Sequence, residues 1–133
     1  MKRIFIAIFF ITLSVLIGIF GLFETERICN KMIIEIEQAT EENKKVTEDN
    51  SHQGRLNFYD TANELNARWE ENSDFFYFFF NNDDIKNIET NIEKLPTHAK
   101  NGDFESAYLC LVECLEDLEY LKNSVSPSFN NIF

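Results

Sequence analysis

Glycine, proline and histidine are scarce in this 133-residue chain, at four, two and two. With so few glycines there is no G-x-G-x-x-G and no Walker loop, and G-x-S-x-G and H-E-x-x-H are missing as well. Neither His52 nor His98 has a nucleophile beside it in the sequence. Three cysteines are too few and too unevenly placed for a disulfide framework. Cys110 and Cys114 stand one helical turn apart, which suits neither a C-x-x-C redox pair nor a zinc knuckle. They are expected to pack as small apolar residues, with an intermolecular bridge through Cys29 as the alternative. Asn81 to Asp84 lacks the spacing and central glycine of a calcium loop. The carboxylate pairs Glu41-Glu42, Glu70-Glu71 and Asp83-Asp84 fall on polar faces or at a helix start. No enzyme is expected, and no catalytic, cofactor-binding or metal-binding residue.

Positive charge is also in short supply, with 12 Lys and Arg against 23 Asp and Glu. Such a balance disfavours nucleic acid and anionic surfaces and keeps a domain soluble. The acids avoid one segment altogether. Behind Met1-Lys2-Arg3, residues 4–23 form the uncharged run IFIAIFFITLSVLIGIFGLF. At about 1.5 Å of rise per residue it matches the roughly 30 Å hydrocarbon core of a bilayer. A cleaved signal peptide has a shorter apolar region and ends in small residues. This run closes on Gly-Leu-Phe before Glu24, so retention as a signal anchor is expected, with the lipid bilayer as partner of residues 4–23. Glu26-Arg27-Ile28 ahead of Cys29 is no lipoprotein box. Lys2 and Arg3 before the run, and Glu24 and Glu26 after it, predict a cytoplasmic N-terminus and an extracytoplasmic remainder. That remainder has ten cations against 23 acids, a net of about −13.

Beyond the run the spacing of apolar residues is helical throughout. Ile28, Met32, Ile36, Ala39 and Val46 continue a face out of the span, and neither proline nor glycine interrupts Glu24 to Asn50. Phe58, Ala62, Leu65, Trp69, Asn72, Phe76 and Phe79 recur at alternating steps of four and three, with only Asn72 breaking the stripe. Ile85, Ile88, Ile92 and Leu95 follow the N-capping Asn81-Asn82-Asp83-Asp84, with Pro96 expected to kink or end their helix. Asn101-Gly102-Asp103 reads as a helix-to-helix turn. A last stripe runs Phe104, Ala107, Leu111, Cys114, Leu118, Leu121, widened by Tyr108 and Leu115. No run alternates as a strand does.

The expected fold is all-α. It has a cytoplasmic stub at 1–3, a transmembrane helix at 4–23, and an extracytoplasmic antiparallel bundle of about four helices at 24–123. Its segments are 24–49, 52–80, 83–100 and 104–123, followed by an extended tail at 124–133. Core positions are Leu65, Trp69, Phe76, Ile88, Ile92, Phe104, Leu111 and Leu118.

Residues 75–80, FFYFFF, carry aromatics around the whole circumference of a helix. The first exported helix climbs about 39 Å and the second returns about 43 Å, so this end comes back to membrane level. Phe75, Phe78, Phe79, Phe80, Phe129 and Phe133 are the candidate partner or membrane-interface surface. The alternatives are packing against the tail, through Phe129, Ile132 and Phe133, against a partner, or into the bilayer interface.

The basic start and single span resemble a known family, as do Ala67-Arg68-Trp69-Glu70-Glu71-Asn72, Asn82-Asp83-Asp84-Ile85, Asn101-Gly102-Asp103-Phe104 and the terminal Ser128-Phe129-Asn130-Asn131-Ile132-Phe133. It is the domain-of-unknown-function family 4363. The resemblance implies a small membrane-anchored protein of clostridia or related spore-forming Gram-positive bacteria. It assigns no activity, and implies another membrane protein as neighbour. The expected function is an accessory binding subunit of a membrane or envelope protein complex, linked to sporulation, with homo-oligomerisation left open. The alternative is a small-ligand or cation sensor, for which Asn72 is the one obvious polar intrusion.

A retained anchor has a direct consequence. Carbonate or high salt should leave the chain in the membrane pellet, whereas a soluble product starting near Glu24 would show that residues 4–23 are removed.

Overall fold

The computed structural model describes residues 1–125. They form α1 (Lys2–Asp49), α2 (His52–Phe79), α3 (Asn82–Asn101) and α4 (Phe104–Val125), with no strand among the described residues. Two residues join each helix to the next, too few for anything but antiparallel neighbours. α1 packs on α2 and α4, α3 packs on the same two, and neither diagonal pair approaches closely. The arrangement is an up-down-up-down four-helix bundle with one strut extended.

That strut is α1. Its residues up to Phe20 are exposed on every side, and from Gly21 a single stripe turns inward: Gly21, Thr25, Ile28, Cys29, Met32, Ile36, Ala39, Asn43 and Val46. By length and composition it can cross a membrane, with a mean hydropathy of 2.8 over its most apolar window. The expected rod is thus one helix with two kinds of surface.

Local chemistry sets each turn. Asn50 closes α1 in the left-handed conformation at φ 50°, where its short polar side chain is tolerated, and its N–H donates to the Val46 carbonyl at 2.8 Å. The Ser51 hydroxyl accepts from the Gly54 N–H at 3.1 Å, and Asn81 Oδ1 accepts from the Asp83 N–H at 2.9 Å. Gly102 ends α3 at φ 72°, and Asp103 caps α4 through the Ser106 N–H at 3.2 Å. Caps of this kind each stabilise by about 0.5–2 kcal/mol.

α3 passes Pro96 and ends at Asn101, one residue beyond the expected 83–100, because buried Leu95 and Ala99 hold the helix to the bundle on either side of the missing N–H. One expectation changes. α4 runs to Val125, so Ser124 and Val125 belong to the helix rather than to an extended tail. Phe129, Ile132 and Phe133 lie outside the described residues.

One continuous core runs along the bundle. Leu65, Trp69, Phe76, Ile88, Ile92, Leu111 and Leu118 are all buried in it. Phe104 is only partly buried. As the first residue of α4 it stands at the bundle's end, edge-on to Phe58 at 5.9 Å and beneath the Arg55 guanidinium at 5.7 Å. Tyr108, expected to widen that face, is exposed. Buried Asn43 sits on the α1 stripe among apolar residues, and its Nδ2 donates to the Phe104 carbonyl at 3.0 Å. This bond ties α1 to the start of α4 and avoids the cost of an unpaired buried amide.

Trp69 is the largest buried side chain, 1% exposed, and stacks on Phe76 at 5.4 Å. Its indole N–H donates to Glu89 on α3 at 3.2 Å. Trp69→Ala should destabilise the bundle by about 3–5 kcal/mol, read as a lowered unfolding midpoint in detergent.

Candidate functional site

The distinctive surface is where α2 meets α3. The aromatic run 75–80 finishes α2 as a helix, since its phase continues the stripe from Phe58. The helix ends when Phe80 turns extended at φ −125°, ψ 167°, and Asn81 caps α3. Phe76 is buried, Phe75, Tyr77, Phe79 and Phe80 are half-buried, and Phe78 is 76% exposed. Phe79 lies 4.8 Å from both Phe75 and Phe78, Phe75 lies 5.7 Å from Phe76, and Phe76 lies 6.1 Å from Phe80, so the rings form one connected cluster.

This cluster touches α1 at a revealing height. A Cβ placed on Gly21 would stand 2.5 Å from Phe79 Cε1 and 2.8 Å from its Cζ. The ring thus occupies the space that glycine vacates, beside the last turn of the apolar run 4–23. Gly21 is the residue that the apolar spacing alone does not reveal. The available signal is that Gly21, Thr25, Ile28 and Met32 already follow the four-three-four rhythm of the bundle stripe.

Just above the aromatics, Arg27, Ile28, Lys31, Arg68, Glu71 and Asn72 line a small polar cleft of about 210 Å³ between α1 and α2. Arg27 pairs with Glu24 at 2.7 Å, and half-buried Arg68 pairs with Glu35 at 2.6 Å. The Asn72 amide donates to its own helix at the Arg68 carbonyl, 2.8 Å away. The face between α1 and α4 carries two open apolar clefts. One, of about 430 Å³, includes Asn43, Thr47, Phe104 and Tyr108. The other, of about 450 Å³, includes Ile34, Gln38, Thr40 and Leu115. Glu37, Glu41, Glu48 and Glu105 border them, with Lys44 beside Glu48.

All three cysteines are free and buried. Burial pushes the Cys29 thiol up to about 12, and it raises Cys110 and Cys114 as well. These thiols stay protonated, and Cys114 Sγ donates to the Ile88 carbonyl at 3.8 Å. An intermolecular bridge through Cys29 therefore has no exposed thiolate to start from. Among the described residues no three His, Cys, Asp or Glu converge as metal ligands would.

The geometry defines a class: a four-helix bundle standing on an apolar helical stalk, with an aromatic foot beside the stalk. The chain belongs to the family described as Domain of unknown function (DUF4363), whose model matches residues 19–132. No curated protein and no solved structure matches it.

Two consequences can be measured. Ala exceeds Gly in helix propensity by about 1 kcal/mol, so Gly21→Ala should stabilise when Phe79→Ala has cleared the space. With Phe79 present, the same substitution must displace the ring and should gain less or lose. A double-mutant cycle in detergent reads the difference. Separately, burial raises the Asp117 pKa, and neighbouring Glu113, Asp84 and Glu116 raise it further. A raised folded-state pKa means that ionising Asp117 weakens the fold as pH rises through that value. Asp117→Asn should therefore raise the unfolding midpoint near neutral pH and lose that advantage in acid, where the native carboxyl is already protonated.

Proposed function

We propose that the chain is a single-pass membrane protein that acts by binding, as an accessory subunit of a membrane or envelope protein complex. Lys2 and Arg3 ahead of the apolar run, with Glu24 and Glu26 behind it, support a cytoplasmic N-terminus and an extracytoplasmic bundle. The spore-forming habitat that the family resemblance implies makes the cell envelope during sporulation the natural setting.

The observation that carries this reading is the absence of any joint between stalk and bundle. α1 passes from its exposed apolar turns into the buried stripe without a break, and the bundle begins at Gly21. A tethered domain on a flexible linker samples a wide volume. A bundle continuous with its span presents its faces at fixed height, within about 42 Å of the bilayer for a 28-residue helix. Its reach suits a neighbour in the same membrane.

The α1–α4 face is the proposed contact. Ile34 and Tyr108 are exposed there beside half-buried Leu115 and Phe104, in clefts bordered by acids. Charging the exposed pair, Ile34→Glu with Tyr108→Glu, leaves the core intact. Affinity purification from membranes should recover a membrane protein with the native chain and lose it with this variant, while circular dichroism stays unchanged. Recovery of the same proteins by both forms, or of none by either, would defeat the proposal.

A further inference from the structure

Resting on the reading of residues 4–23 as the membrane span, we infer that the turn between α2 and α3 is a second membrane contact. Phe78, supported by Phe79 and Phe80, lies in the headgroup boundary of the leaflet from which α1 emerges.

Height is the first argument. Phe79 packs on Gly21, two residues inside the end of the apolar run at Phe23, or about 3 Å below it by helical rise. If residues 4–23 are in lipid, the foot of α2 is level with the edge of the hydrocarbon. Composition is the second. Residues 75–82 carry no charge in a remainder with ten cations and 23 acids, and Phe78 is 76% exposed. Continuity is the third. Phe20, Leu22 and Phe23 are exposed on α1 at the same height, so the aromatic foot widens the apolar surface of the span.

The polar groups nearby fit the same placement. Arg27 and Lys31 lie four and eight residues past Phe23, about 6 and 12 Å higher, and line one cleft with Arg68 and Glu71; Arg27 and Arg68 are held by Glu24 and Glu35, so Lys31 is the cation presented at that height. Phosphates of the headgroup layer occupy that height, and aromatics below with cations above are the usual interfacial pattern. Asp83 and Asp84, which open α3, limit the depth and hold the turn at the boundary. A protein partner is the weaker occupant. A stable protein interface buries about 800 Å² per side, whereas one exposed phenyl offers about 150–250 Å². Interfacial insertion needs no more than such a ring. Two attachment points would fix the tilt and rotation of the bundle, which α1 alone leaves free.

The test uses the full chain in phosphatidylcholine vesicles whose acyl chains are brominated at shallow or deep positions. Single tryptophans are added as Phe78→Trp, Leu13→Trp or His52→Trp, and the emission of native Trp69 is subtracted. Leu13→Trp should be quenched most by deep bromines and Phe78→Trp most by shallow ones. His52→Trp, at the far tip of the bundle, should add only unquenched emission. Quenching at position 13 but not at 78 overturns the second contact, including the case in which a second copy covers it, and leaves the span standing. No quenching at either position overturns the span itself, and the inference with it.

Discussion

One helix carries two kinds of surface, one of them long and apolar enough to cross a membrane, and the rest of the structure follows from where α1 changes between them. Inside hydrocarbon each backbone amide must be paired within its own segment, which a continuous helix achieves without help. In water the same helix must bury a face, because isolated helices of this composition gain too little from propensity alone. Gly21 is where these demands meet. Below it, from Ile4, the side chains are uncharged and exposed on all sides, and above it a single stripe is buried, with Glu and Lys among the exposed residues. Because glycine leaves a space, Phe79 can close against the helix at the changeover, so the bundle starts where the run ends rather than a turn or two later.

Closure at that point dictates the lengths of the other helices. α2 must descend far enough to bring Phe79 to Gly21, and 28 residues from the Ser51 cap accomplish it. The cross-links between α1 and α2 keep register on the way down: Thr61 to Glu42 at 2.6 Å, then Arg68 to Glu35. Each pair is partly exposed and worth at most about 1 kcal/mol, so they select the alignment while the buried stripe supplies the stability. Trp69 adds a similar link to α3 through Glu89, and Asn43 one to α4. Each neighbouring pair that involves α1 or α2 is thus marked by a specific polar contact.

Much of this was legible in the residues. The four-three rhythm from Phe58 and from Phe104 marks the helices and most of their buried faces, and Gly102 with Asp103 marks a turn whose dihedral and cap the fold displays. What escaped depends on contacts far apart in sequence. Pro96 left a kink or an end open by local hydrogen bonding, and it is Leu95 and Ala99 that hold the helix through it to Asn101. Phe104 matches the stripe but sits at the bundle's end, where no neighbour covers its outer side. Asn43 goes unnoticed between Ala39 and Val46 until the Phe104 carbonyl, 61 residues away, is seen to accept its amide. Gly21 has no meaning until α2 returns with a phenyl ring.

The acidic excess acquires direction once the fold is known. Arg27, Lys31 and Arg68 gather beside the stalk with Glu24, Glu35 and Glu71 and nearly balance them, while Glu37, Glu41, Glu48 and Glu105 border the clefts farther up with Lys44 among them. Screening in physiological salt confines their influence to about 8 Å, so the two regions act separately. The lower one is close to neutral, and the upper one repels anions. This polarity opposes any posture in which the bundle lies flat on an anionic surface. It gathers the excess of negative charge on the α1–α4 face, away from the aromatic foot.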